Sequence, residues 1–573
     1  MSIFKQQIES LQLHLQAIAN IQELQAQEKF AHADTEMVDM MLEQAARFSE
    51  EFLVELAEKG DIEGCRLDNN QVQLPTGSKQ VYQQWCELGF PTLGLPMDFD
   101  GLDFPKVVQS AIQEIGDGAH LAFGMLAINL RCAALALIKN APTELVERWV
   151  PGLVSGEISS SIAISEPQAG SDVGRISVKA EPLKNGCWLI NGPKIWISYG
   201  DHDATEQIIH MVLAKIPSDE VGTRALGLFV VPKYKDDNIN PESLNGVTPL
   251  RLEHKMGLHS SPTCVLEFEN SEGYLIGEPG QGIQNLFVMM NAMRLAVSVQ
   301  SSAVANAATL HAIEYAKERP QGGRPDQKAL MISEHADVKR MLLEMTAQSE
   351  MLRGLSMRTA SYLDLSDASD DKEQAIAYQN LAELMLPVAK TVCAESAFEI
   401  ANQGIQVLGG YGYTNDYPLE RMARDVRVTS IYEGTSGIQA LDYIKRKVVA
   451  DQGSTLNKLL SKIKADIANT IESNPLRAPL SNSVTTFENT LAEILSKADA
   501  DKRSIEGGAY NFLRFSGLIF CAWNGLVLYE AATGDSEYQE RLKAALSLFA
   551  GSLENEARCW AGKSLQDSGA FSF

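Results

Sequence analysis

The sequence predicts a mainly α-helical protein with a central β-domain, and the spacing of its apolar residues is the main evidence. Apolar residues recur at helical spacing through residues 1–160 and again through 281–450. Between them, residues 161–280 contain short alternating runs separated by Gly, Asn and Pro, which is typical of an antiparallel β-domain. Further amphipathic helices are expected over residues 451–573. Because 573 residues are too many for one ordinary core, we treat these four segments as candidate domains.

The helical segments are defined by groups of apolar residues at helical spacing. In the first segment the groups are Ile8, Leu11, Leu15 and Ile18, and then Met37, Met41, Leu42 and Ala45. A loop rich in Pro and Gly follows, and helical spacing resumes from Val107 to Ala141. The third segment predicts long helices over Gln284–Glu318, Ile332–Leu363 and Glu373–Gly404. In the fourth, the apolar run Phe515–Tyr529 is short for a membrane span and predicts a buried helix.

The second segment contains runs that predict strands, separated by residues that favour turns. The clearest runs are Ser161–Ser165, Ile208–Ala214, Leu226–Val231 and Cys264–Phe268. Two turns are expected, at Lys184-Asn185-Gly186 and at Asn191-Gly192-Pro193.

Charge and cysteine content exclude several classes of function. The net charge of −25 disfavours nonspecific binding to nucleic acid or to anionic membranes. The eight cysteines form no C-x-x-C pair, and none has zinc-ligand spacing, so we expect reduced thiols and no metal site. The first residues lack the pattern of a signal or transit peptide, and we therefore expect an intracellular protein.

One motif places a single carboxylate beside flexible backbone. In Ile431-Tyr432-Glu433-Gly434-Thr435-Ser436, glycine permits close approach to a ligand, and the two hydroxyls offer hydrogen bonds. A carboxylate in apolar surroundings has a raised pKa and suits a general base. The alternative reading is a solvated glutamate that ends a helix.

Two motifs in the β-segment suit a flat or anionic ligand. Ser165–Gly174 combines small residues and glycines after a strand, so its backbone N–H groups can face an anion or an electron-rich ring. In Lys194-Ile195-Trp196-Ile197-Ser198, alternation puts an indole and a hydroxyl on one face of a strand. The alternatives are an ordinary polar turn and a core tryptophan.

Arginines and paired glycines complete the candidate set. Arg294 and Arg319 end helical stretches and could bind phosphate through their guanidinium groups, although each taken singly fits a surface charge better. Gln406–Gly412 places paired glycines after a helix, which allows close backbone approach or simply a helix cap.

Taken together and in this order, these motifs resemble those of the acyl-CoA dehydrogenase family over roughly residues 80–450. The segment after residue 451 resembles a long subgroup that carries an additional C-terminal helical domain. The resemblance implies a helical N-terminal domain, a middle β-domain and a C-terminal four-helix bundle, with FAD bound between the last two. It also implies a bacterial, cytoplasmic homodimer in which the adenosine end of FAD reaches the partner subunit.

The resemblance also implies roles for individual residues. Glu433 would be the catalytic base, removing the proton α to the thioester while the β-carbon gives a hydride to the flavin. The cofactor-binding residues would be Ile164, Ser165, Gly170, Ser171, Trp196, Ile197, Ser198, Arg319, Gln406, Gly409, Gly410, Thr435 and Ser436. The residues that contact substrate or support the base would be Ser171, Asn291, Arg294 and Gly434.

The implied activity is dehydrogenation of an acyl-CoA thioester to the trans-2-enoyl-CoA, with electrons passed to an electron-transfer flavoprotein. A fatty acyl-CoA and 3-methylmercaptopropionyl-CoA both remain open as substrates. One alternative is an acyl-CoA oxidase, and another is a DNA-binding alkylation-response flavoprotein of the same fold. The latter needs a basic C-terminal domain, but residues 451–573 hold 12 Lys/Arg against 15 Asp/Glu. A third possibility is that this domain serves assembly or substrate capping.

Overall fold

The computed structural model describes residues 3–235, 239–501 and 503–571. Its contacts divide the chain into two compact units. The helical unit comprises Met1–Ala46, Pro105–Gly118 and Arg294–Phe573, and the sheet unit comprises Arg47–Phe104 and Ala119–Met293. These units cut across the four candidate segments, whose boundaries stay a prediction.

The helices occur in the order expected from the sequence. They are α1 (Ile3–Ala17), α2 (Ile21–Gln25), α3 (Thr35–Phe48), α4 (Val54–Glu63), α5 (Ser78–Glu87), α6 (Lys106–Asn140), α7 (Thr143–Ser155), α8 (Gly282–Glu318), α9 (Ala336–Ala368), α10 (Lys372–Leu408), α11 (Leu419–Val426), α12 (Ser436–Asp442), α13 (Ser454–Asn469), α14 (Arg477–Ala500), α15 (Ala509–Ala531), α16 (Glu537–Ala550) and α17 (Leu553–Ser564). The three long helices predicted after residue 281 are confirmed as α8, α9 and α10, and the additional C-terminal helices are α13 to α17.

The strands lie between α4 and α8. They are β1 (Arg66–Asp68), β2 (Gln71–Gln73), β3 (Ile158–Ala163), β4 (Lys179–Pro182), β5 (Trp188–Ser198), β6 (Gln207–Lys215), β7 (Leu226–Pro232), β8 (Val247–Leu252) and β9 (Thr263–Ile276). Strands β3 to β9 form one sheet. The pairings β6–β7, β7–β9, β9–β5 and β5–β4 are antiparallel. A bridge between Lys179 of β4 and Lys215 of β6 joins the two ends of this series of strands.

One of the two predicted turns is wrong. Lys184-Asn185-Gly186 does connect β4 to β5, but Asn191-Gly192-Pro193 lies inside β5. Gly192, at φ +124°, is accommodated by a register shift in the β5–β9 pairing between Ile190 and Gly192, so the strand continues without a turn.

Two further details of the β-structure differ from the sequence prediction. Strand β3 runs parallel to β6, because the chain between them forms β4 and β5 instead of a hairpin. The other difference is the β1–β2 hairpin, which lies within the segment predicted to be helical. Its turn is formed by Asn69 and Asn70 at φ values of +50° and +62°. Asparagine tolerates this left-handed conformation, so the Asn-Asn pair was a turn signal present in the sequence.

In the helical unit, α1 and α16 are joined to α9 by a buried polar cluster. Arg353 lies almost fully buried and pairs with Glu114 and Glu350. Ser10 of α1 donates a hydrogen bond to Glu350 at 2.6 Å, and Tyr538 of α16 donates to the same carboxylate at 2.9 Å. The first helix therefore forms part of the polar contact between α16 and α9.

Two helices in the described part of the chain, α6 and α15, are long and apolar enough to cross a membrane by length and composition. In each, 78% of the apolar window is buried inside the protein, as in the core helices of soluble folds. The predicted apolar run Phe515–Tyr529 is thus part of a buried helix, α15.

Candidate active site

The Glu433 turn (residues 431–435) connects a short 3-10 turn, Arg427–Ser430, to α12. Glu433 and Gly434 have φ values of +55° and +93°, so two consecutive residues are left-handed. Glycine accepts this conformation without cost, whereas a glutamate there is strained. Thr435 then caps α12 by accepting a hydrogen bond from the Ile438 N–H at 3.3 Å. Glu433 is therefore not the solvated end of a helix but a residue in a strained turn before one.

The Glu433 carboxyl keeps partial solvent access but is densely surrounded by protein. Burial raises its pKa to about 7, while the positive charges of Lys390 and Arg294 counteract that rise. Arg294 is itself buried and forms an ion pair with Asp442 at 3.0 Å. A carboxyl that titrates near neutral pH is well matched to general-base catalysis.

The side chains on either side of Glu433 form hydrogen bonds within the helical unit. The Tyr432 hydroxyl donates to the Gln300 amide oxygen at 2.7 Å, and burial raises the pKa of this phenol well above its usual value. Ser436 donates to the carboxylate of Glu395. The hydroxyls of Thr435 and Ser436, predicted to contact the cofactor, therefore have internal partners as well.

In the sheet unit, the Ser165–Gly174 loop is anchored by a buried ion pair. Glu166 accepts hydrogen bonds from Lys194 Nζ at 2.8 Å and from the Ser177 N–H at 2.7 Å. Burial raises the pKa of Glu166, but Lys194 and the hydrogen bonds outweigh it, so the net shift is downward. Beyond this anchor, Gly170 and Ser171 are exposed, and a methyl group on Gly170 would meet nothing within 4 Å. The backbone of Gly170 and Ser171 is therefore exposed, while the start of the loop is held in place by the Glu166–Lys194 ion pair.

Trp196 is the most unusual residue of the sheet unit. Its side chain is 57% exposed and its φ is +63°, at an irregularity in the β5–β9 pairing between Lys194 and Ile197. A bulky residue in this conformation is a genuine outlier, and such strain is concentrated at functional sites. The alternative of a core tryptophan is therefore wrong.

The other predicted residues of the sheet unit differ in accessibility. Ile197 is 1% exposed and lies in the core of the sheet, so only its backbone is available to a ligand. Ser198 and Ile164 are half-buried, and the Ile164 carbonyl accepts from Lys194 Nζ at 2.8 Å. The Ser165 carbonyl accepts from the Ile195 N–H at 2.9 Å, and Asn291 is half-buried on α8.

A third group of predicted residues lies at the end of α10 in the helical unit. Gln406, Gly409 and Gly410 are exposed, and added methyl groups on either glycine would meet nothing within 4 Å. Arg319 lies over the Tyr411 ring, with 5.6 Å between guanidinium carbon and ring centroid. An arginine beside an aromatic ring and open backbone suits a nucleotide phosphate and base.

Sequence reasoning assigned no role to the buried groups that hold these motifs. Lys390 and Gln439 bind the backbone of the Glu433 turn, and Glu166 and Lys194 bind the loop after β3. A lysine within the apolar run Leu384–Cys393 was a signal, because a buried lysine requires partners. In the part of the chain that the structure describes, no group of three or more His, Cys, Asp or Glu could hold a metal ion.

Comparison with known proteins gives three family matches that together cover most of the chain. Residues 35–157, 161–271 and 280–448 match the family models described as the N-terminal, middle and C-terminal domains of acyl-CoA dehydrogenase. The chain is 35% identical to 3-methylmercaptopropionyl-CoA dehydrogenase of Ruegeria pomeroyi, covering 92% of each chain. It is 31% identical to the broad-specificity linear acyl-CoA dehydrogenase FadE5 of Mycobacterium tuberculosis, covering 96% of this chain and 95% of the relative.

Solved structures have the same fold. One is Caenorhabditis elegans ACDH-11 in complex with C11-CoA, with a TM-score of 0.76 at 19% identity, over 89% of this chain and 86% of that one. Another is an acyl-CoA dehydrogenase from Bacillus anthracis complexed with FAD, with a TM-score of 0.73 at 20% identity, over 93% and 89%. The chain therefore belongs to the acyl-CoA dehydrogenase family, whose members are FAD-dependent oxidoreductases.

Proposed function

We propose that this protein oxidises an acyl-CoA thioester to the trans-2-enoyl-CoA, with Glu433 as the base that removes the α-proton. The observation that carries the proposal is the Glu433 carboxyl itself, held in a strained turn with a pKa raised to about 7. Strain and a perturbed pKa in one residue favour a catalytic role over a structural one.

The residues present fit FAD in both units. Exposed Trp196 offers an aromatic face, and open backbone at Gly170 and Ser171 offers N–H donors. Arg319 and the open backbone at Gly409 suit the nucleotide part. When bound, FAD supplies the acceptor for the hydride that leaves the β-carbon.

The chain's own contribution is proton abstraction and stabilisation of the charge that results. An α-proton is far less acidic than a carboxylic acid, so the base needs both raised basicity and help for the developing enolate. Burial of Glu433 supplies the first. For the second, we assign the backbone N–H of Glu433 as a donor to the thioester oxygen, because fixed donors are effective where charge develops.

Substrate and partners follow from the same proposal. A fatty acyl-CoA and 3-methylmercaptopropionyl-CoA are both candidates, since relatives named for each class cover almost the whole chain. We further propose a homodimer and an electron-transfer flavoprotein as electron acceptor. An oxidase is the competing activity, and slow reoxidation of the reduced enzyme in air would favour the dehydrogenase.

The test combines a ladder of acyl-CoA thioesters with a variant of the base. Glu433→Gln removes the carboxylate and is expected to lower kcat by about 10²–10⁴-fold while the flavin content stays at the wild-type level. Glu488→Gln is the matched control, because this glutamate pairs with Lys464 at 2.6 Å between α13 and α14, outside the proposed site. A Glu433→Gln enzyme with undiminished turnover on every thioester would contradict the proposal.

A further inference from the structure

Lys390 is a lysine buried deep in α10, beside the Glu433 turn. Its side chain is fully buried, and its Nζ donates a hydrogen bond to the Gly434 carbonyl at 2.8 Å. A buried ammonium group is costly unless it has partners, so its position there requires a compensating gain.

The Glu433 turn is held at both of its left-handed residues. Lys390 binds the Gly434 carbonyl, and the buried Gln439 amide donates to the Glu433 carbonyl at 3.0 Å. An added methyl group at Gly434 would lie 2.5 Å from Gln439 Nε2, so the turn packs tightly against this amide. A strained backbone conformation persists only when the surrounding structure holds it in place. Here the hydrogen bonds from Lys390 and Gln439 hold it.

Lys390 also contributes charge. Burial lowers its pKa to about 7, while Glu433 and Glu395 raise it and Arg294 lowers it. Arg294 is already paired with Asp442, whereas Lys390 donates to a neutral carbonyl. Lys390 is also the larger of the two positive influences on Glu433. Its charge is therefore available to the base, whereas the charge of Arg294 is largely offset.

We propose that Lys390 is a positioning residue for the base: its ammonium group fixes the Glu433–Gly434 turn and stabilises the ionised carboxylate. This inference rests on the proposed role of Glu433 and adds a residue that does not touch the substrate. The effect of position and the effect of charge can be separated experimentally. Gln439 fixes the same turn without a charge, whereas Lys390 provides both a hydrogen bond and a charge.

The experiment measures the rate of flavin reduction by an acyl-CoA substrate as a function of pH. In the wild type the rate rises with pH as Glu433 ionises. Lys390→Gln is expected to move this rise upward by about one pH unit, because the neutral form of Glu433 is favoured once the nearby positive charge is lost. Gln439→Leu is expected to lower the plateau about tenfold without moving the rise, because only the geometry is disturbed.

Two further variants complete the set. Lys390→Arg carries its charge throughout this pH range, so the rise should not move upward while the maximal rate falls. If Lys390→Gln does not fold, Lys390→Arg and Gln439→Leu still test whether Lys390 and Gln439 position the turn, and an undiminished maximal rate in both would overturn the proposal. Lys464→Gln is the matched control, since its ion pair with Glu488 joins α13 to α14 and lies outside the turn.

Hydrogen exchange gives a readout that does not depend on turnover. The peptide covering residues 431–439 should exchange faster in Lys390→Gln and Gln439→Leu than in Lys464→Gln. The inference is overturned if Lys390→Gln leaves both the pH of the rise and this exchange unchanged while Glu433→Gln is inactive. If instead Glu433→Gln remains active, it is the proposed function that fails.

Discussion

Lys194 fixes the loop after β3, and its removal is the sharpest test of how the sheet unit is built. All three of its donors are used: they reach the Ile164 carbonyl at 2.8 Å, the Glu166 carboxylate at 2.8 Å and the Leu213 carbonyl at 2.7 Å. The side chains of Lys194 and Glu166 are almost fully buried. The perturbation we consider is Lys194→Met, which keeps the length of the side chain and removes the charge.

The expected cost follows from what the methionine leaves behind. Two carbonyls lose a donor, and Glu166 stays buried without its cation. Removing one partner of a buried ion pair typically costs about 3–5 kcal/mol. Glu166 keeps hydrogen bonds from the N–H groups of Ser177 and Val178, at 2.7 and 3.1 Å, which lowers the penalty. We therefore expect a loss of about 3 kcal/mol in the free energy of unfolding.

The assay is urea denaturation followed by tryptophan fluorescence, together with flavin content and hydrogen exchange of residues 164–178. Lys194→Met should shift the unfolding midpoint down, speed exchange in this peptide and reduce FAD retention, because the loop is proposed to hold the cofactor. The double variant Glu166→Gln/Lys194→Met should recover about 1–2 kcal/mol, because it removes the unpaired charge.

Lys215→Met is the matched control, since this lysine is exposed at the end of β6. A surface substitution of this kind should change stability by less than about 0.5 kcal/mol. The reasoning is refuted if Lys194→Met is as stable as the Lys215→Met control and exchanges residues 164–178 at the wild-type rate.

Three further outcomes follow from strain, buried histidines and the buried polar cluster. Trp196→Gly should stabilise the flavin-free protein by about 0.5–1 kcal/mol in thermal unfolding, by relieving a positive φ, yet weaken FAD retention. Burial lowers the pKa of His202 and of His210 to about 3, so both stay neutral when folded. The unfolded chain binds their protons below about pH 6.5, so each should withdraw up to about 1.4 kcal/mol per pH unit as pH falls from there towards 3, measured as Tm against pH. Arg353→Leu should cost about 3–5 kcal/mol by leaving two buried glutamates unpaired, and Tyr538→Phe about 1 kcal/mol, measured by chemical denaturation.

Periodicity was enough to predict the order of helices, sheet and helices, because burial of one face imposes the repeat locally. The long helices α8, α9 and α10 were readable for this reason. The parallel pairing of β3 with β6 was not readable, since it joins segments separated by two other strands. The Asn69-Asn70 hairpin was missed because its strands contain three residues each, too few to show an alternation.

The candidate site could be predicted from the sequence only where its chemically active residues lie in one short motif. Glu433 and Trp196 stand in motifs, but their left-handed backbones could not be inferred from an alternating pattern. Lys390 lies 43 positions before Glu433, and only the packing of α10 against the turn brings its ammonium to the Gly434 carbonyl. Such partners are fixed by tertiary structure and leave almost no local trace in the sequence.

The two strained residues are supported in the same way. In the sheet unit, Trp196 has a positive φ two positions after Lys194, whose buried ammonium binds two carbonyls and a carboxylate. In the helical unit, Glu433 has a positive φ beside Lys390, whose buried ammonium binds the next carbonyl. A left-handed backbone at a large side chain costs about 1–3 kcal/mol, and a charged hydrogen bond contributes a comparable amount. We therefore propose that each buried lysine holds the candidate site residue beside it in a conformation that the residue's own preference opposes.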